Sequence, residues 1–332
     1  MIAKLSADAS EHMGDDVVRL AEEHGYKAAV SRSRDCAAVG ITGKGEPALR
    51  EKLAGLPGVE AVIVPEAGCT LASRHFQPYD TVIRIGDLHI GGGGVSIIGG
   101  PSAYRSAAHM EAVAQQLSAC GAHIMRGEFV LGNEAGMDVE GMEAMRRIAK
   151  AHRLATMITP PSPAFVGQCA EYADIVAAGV RNMQNRDMHR ELGSIGKPVL
   201  LRRSPGATCD EWLRSAEYIV AAGNAQVILL ERGIRTFEPR TGDTPDVSAV
   251  PVLSALSHLP VFGDATYAAA RPELIEPLAR AYAAAGASGL FVGFDTLDGG
   301  KLALDPQRFG RLVADVRGIA EIVRGKEGVV HG

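Results

Sequence analysis

At 332 residues, 46% apolar and 22% charged, the chain can bury a sizeable core, enough for one large domain and a small one. Its net charge of -5 removes the electrostatic case for nucleic acid or an anionic membrane as partner, and no apolar run nears the roughly 20 residues of a membrane span. The opening MIAKLSADAS lacks the apolar stretch of a signal peptide; five scattered cysteines without a CxxC pair suit a reduced cytoplasmic compartment and argue against a structural zinc site.

Residues 1–72 alternate short β-type runs with two helical stretches. Ile2–Leu5 is extended, and a segment from Asp15 to His24 carries Val17, Val18, Leu20 and Ala21 on one face. Strands follow at Ala28–Val30 and Ala37–Ile41, then a helix at Pro47–Leu56 and a strand at Val59–Val64. That βαββαβ order is the ferredoxin-like α+β plan, which serves as a structural cap or as an effector-binding layer. Residues 73–94 are a linker with a hairpin from Thr81 to Ile90 around Gly86-Asp87. Gly91 to Gly94 form a joint, since no Lys-Ser/Thr follows them to make a phosphate loop.

Over residues 95–332 the pattern changes to short apolar runs separated by amphipathic helices. The runs are Val95–Ile98, His123–Met125, Thr156–Ile158, Asp174–Ala178, Pro198–Leu201, Gln226–Leu230, Pro260–Gly263 and Gly289–Val292. Eight buried-strand candidates interleaved with helices predict an α/β fold, a (β/α)8 TIM barrel, with a doubly wound open sheet as the alternative. In a barrel the functional side chains stand just after the strands. Those positions hold Ser102, Arg126 and Glu128, Thr159, Arg181, Arg202 and Arg203, Glu231 and Arg232, Asp264, and Asp295. Several arginines at one barrel mouth repel each other unless an anion joins them, and guanidinium forks match phosphate and carboxylate. The expected partner is a phosphorylated or carboxylated small molecule. Glu231 is equally open to a structural pairing with an arginine, and neither an HExxH nor a paired-carboxylate metal motif is present.

The segments Ala170-Glu171-Tyr172-Ala173-Asp174, Gly179 to Asn185, Lys197 to Leu201, Glu231 to Glu238 and Asp246 to Pro251 resemble the 3-deoxy-D-arabino-heptulosonate-7-phosphate (DAHP) synthase family. The subgroup is the one with an N-terminal ferredoxin-like domain, and the resemblance spans essentially the whole chain. It implies condensation of phosphoenolpyruvate with erythrose 4-phosphate at a divalent metal, in a dimer or tetramer. By position, Arg181 and Arg232 match arginines that hold the phosphoenolpyruvate phosphate. Arg202 replaces a lysine sharing that task, and Arg126 matches the arginine near the carboxylate end.

The departures from the family pattern lie at the metal and acceptor positions. Ser102 replaces the metal-binding cysteine, Tyr267 a histidine and Gly293 a glutamate; Asp295 replaces the next histidine, and the last aspartate falls at Leu304 or Asp305. In the acceptor segment Leu131 and Asn133 replace the lysine and arginine that contact the substrates, and Glu134 would repel a second phosphate; Thr159 replaces a glutamate, and Gly242-Asp243 an Arg-Asn pair. The expectation drawn from these replacements is a diverged, metal-independent enzyme without cofactor, using a retained anion pocket for C–C bond chemistry or a related lyase or transferase step. The anion pocket is assigned to Arg126, Arg181, Arg202 and Arg232, and acid–base work to Tyr267, Asp264, Glu128 and Asp295. A non-catalytic metabolite-binding or regulatory homologue is the alternative, and an ordinary DAHP synthase the least favoured reading.

Overall fold

The computed structural model describes residues 1–327 apart from 7, 34–35, 44–46, 66–67, 132–135, 270 and 297–301. Its N-terminal layer comprises β1 (Ile2–Leu5), α1 (Glu11–Glu23), β2 (Lys27–Ser33), β3 (Cys36–Thr42), α2 (Pro47–Ala54) and β4 (Val59–Ile63). The strands form one antiparallel sheet in the order β2-β3-β1-β4, the ferredoxin-like arrangement. Alternation along each strand decides what each face covers. Ala3, Leu5, Val39 and Ile41 pack on Val17, Ala21, Leu49 and Leu53 of the two helices. Ile2 and Ala38 face the other way and pack with Leu71, with Phe76 of the linker and with Val220 and Ala221 of the larger domain.

The linker leads into a hairpin, β5 (Ile83–Ile85) and β6 (Leu88–Ile90). Ile83 and Ile90 are buried within the barrel's interior cluster, and the Thr81 N–H donates to the His258 carbonyl just before a barrel strand begins. The hairpin therefore plugs the end where the strands start.

The barrel strands are β7 (Ser96–Gly100), β8 (Ile124–Gly127), β9 (Ala155–Ile158), β10 (Ile175–Ala178), β11 (Val199–Arg202), β12 (Val227–Glu231), β13 (Val261–Asp264) and β14 (Gly289–Gly293). All neighbours are parallel, and β14 pairs with β7 to close the ring, which excludes the open sheet. The helices that position the site are α3 (Ala107–Ala119), α4 (Val139–Ala151), α5 (Val166–Tyr172), α6 (Arg186–Ser194), α7 (Cys209–Ala221), α8 (Ala249–Leu256), α9 (Pro272–Ala284) and α10 (Pro306–Glu327). Because both faces of a parallel barrel are buried, its strands are largely apolar up to their last residues. Ile98, Ile124, Leu200, Leu230, Phe262 and Phe291 fill the interior. Their neighbours Ile97, Met125, Leu201, Leu229, Val261 and Leu290 pack on the helices. Among the described residues no helix is long and apolar enough to cross a membrane.

Candidate active site

Six of the eight strands extend one or two residues past the apolar runs, and this extension places the chemistry. Arg126, Arg202 and Asp264 occupy the last or next-to-last positions of β8, β11 and β13. Each lies two residues beyond an interior side chain, Ile124, Leu200 and Phe262 respectively, so each follows it into the barrel mouth. All three are buried. Both guanidiniums lie over the Phe291 ring, with Cζ at 5.1 Å for Arg126 and 5.6 Å for Arg202. Gly100 makes room for Arg126: at φ +138°, a Cβ there would stand 2.6 Å from the Arg126 carbonyl oxygen and 3.0 Å from its Cγ.

The two arginines differ in how they are satisfied. Arg126 donates through Nη2 to Glu128 Oε1 at 2.5 Å and through Nη1 to Tyr267 Oη at 3.3 Å. Arg202, only 8% exposed, keeps Nε and Nη2 buried with no hydrogen-bond partner among the described residues. Burial and then the charge of Arg126 push its pKa down, while Asp264, Tyr267 and Glu128 hold it up. A buried cation in that state has room for an anion.

Asp264 organises the loop above. Its Oδ1 accepts the backbone N–H groups of Thr266 and Tyr267, both at 2.9 Å, and Oδ2 is buried without a partner among the described residues. Burial raises its carboxyl above the ordinary range, against those N–H groups and the charges of Arg202 and Arg232. Tyr267 then sits between two cations: Arg126 at its hydroxyl and Arg232 over its ring, Cζ 5.2 Å from the centroid. Half-buried Arg232 also pairs with Asp243 at 3.5 Å. Arg181, by contrast, is exposed on the short 3-10 turn Val180–Asn182.

Glu231 and Arg203 show the opposite register. Leu230 faces the interior, so Glu231 faces the helices, where it accepts from the Gly233 N–H at 2.6 Å and from the Tyr282 hydroxyl. Burial raises its pKa, and the Tyr282 hydrogen bond opposes the rise. Arg203 lies 4.0 Å from Glu231 and 2.7 Å from Asp246. Glu231 is thus the structural arginine partner rather than a group of the mouth.

A cavity of about 190 Å³ opens between these elements, lined among others by Ser102, Arg126, Thr266, Tyr267 and Asp295. Asp295 is bound to His109 of α3, Nε2 to Oδ1 2.6 Å. The sequence reading missed His109, because a histidine beside Met110 and Val113 on a buried helix face reads as core. Of the acceptor positions, Leu131 is exposed, and Asn133 and Glu134 lie outside the described residues.

A divalent metal needs several charged or imidazole donors converging at bonding distance. Among the described residues no group of three or more His, Cys, Asp or Glu does so. The cavity offers hydroxyls of Ser102, Thr266 and Tyr267 and one carboxylate already held by a histidine. That donor set does not fit the metal the resemblance implies.

Comparison with known proteins fixes the family. The DAHP synthetase I family matches residues 76–307, and the DAHP synthase ferredoxin-like domain matches residues 1–64. Phospho-2-dehydro-3-deoxyheptonate aldolase of Thermotoga maritima is 36% identical over 331 residues, 97% of this chain and 98% of that protein. The crystal structure of that DAHP synthase superposes with a TM-score of 0.75 over 97% of both chains. A truncated form of the Thermotoga maritima synthase gives 0.72 at 38% identity, covering 76% of this chain and 97% of its own. More distant is 2-dehydro-3-deoxyphosphooctonate aldolase of Desulfosudis oleivorans, 22% identical over 240 residues, 64% of this chain and 84% of its own.

These similarities correct the functional expectation drawn from single positions. A diverged, metal-independent enzyme was favoured there and an ordinary DAHP synthase ranked last. An identity of 36% across nearly the full length of both chains points instead to the ordinary synthase, and nothing in the comparisons supports a departure. A pocket's ligand is set by its whole lining, so replacements at single positions do not by themselves change the reaction. From its first strand to its last helix, the chain belongs to the DAHP synthase family.

Proposed function

We propose that the protein is a phospho-2-dehydro-3-deoxyheptonate aldolase, condensing phosphoenolpyruvate with erythrose 4-phosphate. One observation carries the site assignment: the buried Arg202 guanidinium has two nitrogens without partners among the described residues, beside a second buried guanidinium. Two such cations side by side favour a doubly charged ligand, and phosphoenolpyruvate brings a phosphate and a carboxylate. Arg126 and Arg202 form the core of this clamp, with Arg232 and the exposed Arg181 at its rim.

In the reaction, C3 of phosphoenolpyruvate bonds to the aldehyde carbon, the aldehyde oxygen gains a proton, water adds at C2, and the C–O bond to phosphate breaks. Tyr267 is placed to give that proton: its oxygen accepts from Arg126, which leaves the phenolic hydrogen directed elsewhere. The proton lost by the adding water returns to it. Arg126 stabilises the charge on Tyr267 in between. Asp264 acts as a positioning residue, locking the Tyr267 turn through two backbone hydrogen bonds. Glu128 holds the Arg126 fork in its plane.

Mixing both substrates should release inorganic phosphate in step with loss of phosphoenolpyruvate absorbance. Tight phosphoenolpyruvate binding without any phosphate release on adding erythrose 4-phosphate would defeat the proposal.

A further inference from the structure

Asp295 stands just beyond β14 and lines the 190 Å³ cavity together with Ser102, Arg126 and Tyr267. Its side chain and that of His109 are each only 5% exposed. A carboxylate can only accept, so the 2.6 Å contact puts a proton on His109 Nε2. The other carboxylate oxygen faces the Arg105 guanidinium at 3.9 Å. His109 is itself set by the start of α3, where its backbone N–H donates to Ser106 Oγ at 3.2 Å. Its Nδ1 is buried without a hydrogen-bond partner among the described residues. Among the described residues the ring's one hydrogen bond is therefore the one to Asp295.

The cavity wall therefore has two chemical characters. Arg126 and the neighbouring Arg202 attract anions, whereas the Asp295 carboxylate repels them and accepts from hydroxyls. The two substrates of the proposed reaction divide along that line: phosphoenolpyruvate has no hydroxyl, and erythrose 4-phosphate carries hydroxyls on C2 and C3, between its aldehyde and its phosphate.

We propose that His109 is a positioning residue that fixes the Asp295 carboxylate in the cavity wall, where it accepts hydrogen bonds from the hydroxyls of the aldose phosphate. This rests on the condensation proposed above. Without the imidazole the carboxylate loses its buried donor and turns toward Arg105, out of reach of the sugar. The pairing selects for the acceptor substrate and leaves the anion clamp alone.

His109→Leu and His109→Gln, made in the full chain, test it. In His109→Leu, KM for erythrose 4-phosphate should rise about tenfold, the size of one charge-assisted hydrogen bond, while KM for phosphoenolpyruvate stays at the wild-type value. His109→Gln, whose amide can still donate to Asp295, should recover most of the loss. Equal changes in both KM values, an unchanged KM for the aldose phosphate, or a Gln variant as impaired as the Leu variant would overturn it. A readout free of turnover separates this from the functional reading. In wild-type protein with 15N-labelled histidine, erythrose 4-phosphate should shift the His109 ring resonances, and phosphoenolpyruvate alone should not. A wild-type enzyme that forms no product defeats the condensation proposal, yet the dyad still stands or falls on that titration. Absence of a shift overturns it, including when the Leu variant does not fold.

Discussion

Arg202 concentrates the energetic problem of the site in one side chain. A buried cation with unanswered donors costs several kcal/mol relative to a hydrophobic replacement of similar volume, and among the described residues Arg202 has two such nitrogens. Arg202→Met should therefore weaken phosphoenolpyruvate binding at least about tenfold in titration calorimetry and at the same time raise the melting temperature. Unchanged affinity would remove the clamp. Asp264 gives the matching pH test. Burial holds its carboxyl above the ordinary range, so the folded chain binds that proton more tightly than the unfolded one. The stabilising contribution is complete below the ordinary carboxylate range and is lost as pH climbs through the raised folded value. Asp264→Asn should flatten the fall in melting temperature over that upper window. An unchanged slope would mean that the group titrates normally.

At the scale of elements, the eight strands were legible because buried parallel strands are continuous apolar runs. The same continuity hides which residues face inward, since a run without alternation says nothing about its two faces. Arg202 and Arg203 are neighbours in sequence, but one enters the mouth and the other pairs with Asp246 among the helices. Glu231 and Asp264 divide in the same way. The helix layer has its own constraint at Gly263 of β13, where an added Cβ would stand 2.3 Å from the Tyr282 ring. Gly263→Ala should displace Tyr282 from Glu231 and destabilise the barrel by about 1–3 kcal/mol, the usual cost of overpacking. Denaturant unfolding followed by the fluorescence of Trp212, the chain's one tryptophan, buried on α7, reads this out. Wild-type stability would show that the ring can move aside freely.

For the whole molecule, the joint between the two domains rests on Glu217 of α7. Its carboxylate accepts the backbone N–H groups of Leu71 and Ala72 at 2.9 and 2.8 Å, beneath the apolar contact of Ile2, Ala38, Leu71 and Phe76. Glu217→Ala leaves two buried donors bare and should cost about 2–4 kcal/mol. It should also expose the linker to proteolysis first, with the barrel surviving as a fragment. Simultaneous digestion of both parts would show that Glu217 does not hold the joint.

Composition and run spacing alone determined the barrel and the ferredoxin-like layer, because burying apolar segments at regular intervals leaves few other solutions. The arginines of the mouth were legible for a related reason: their position after apolar runs places them at strand ends in any barrel. Three-dimensional packing alone decided which of them lose water together over Phe291 and which stay at the surface. It also decided that a histidine on α3 reaches an aspartate 186 residues away. Pairing across the barrel depends on how the ring closes, and no local pattern in the chain encodes that distance.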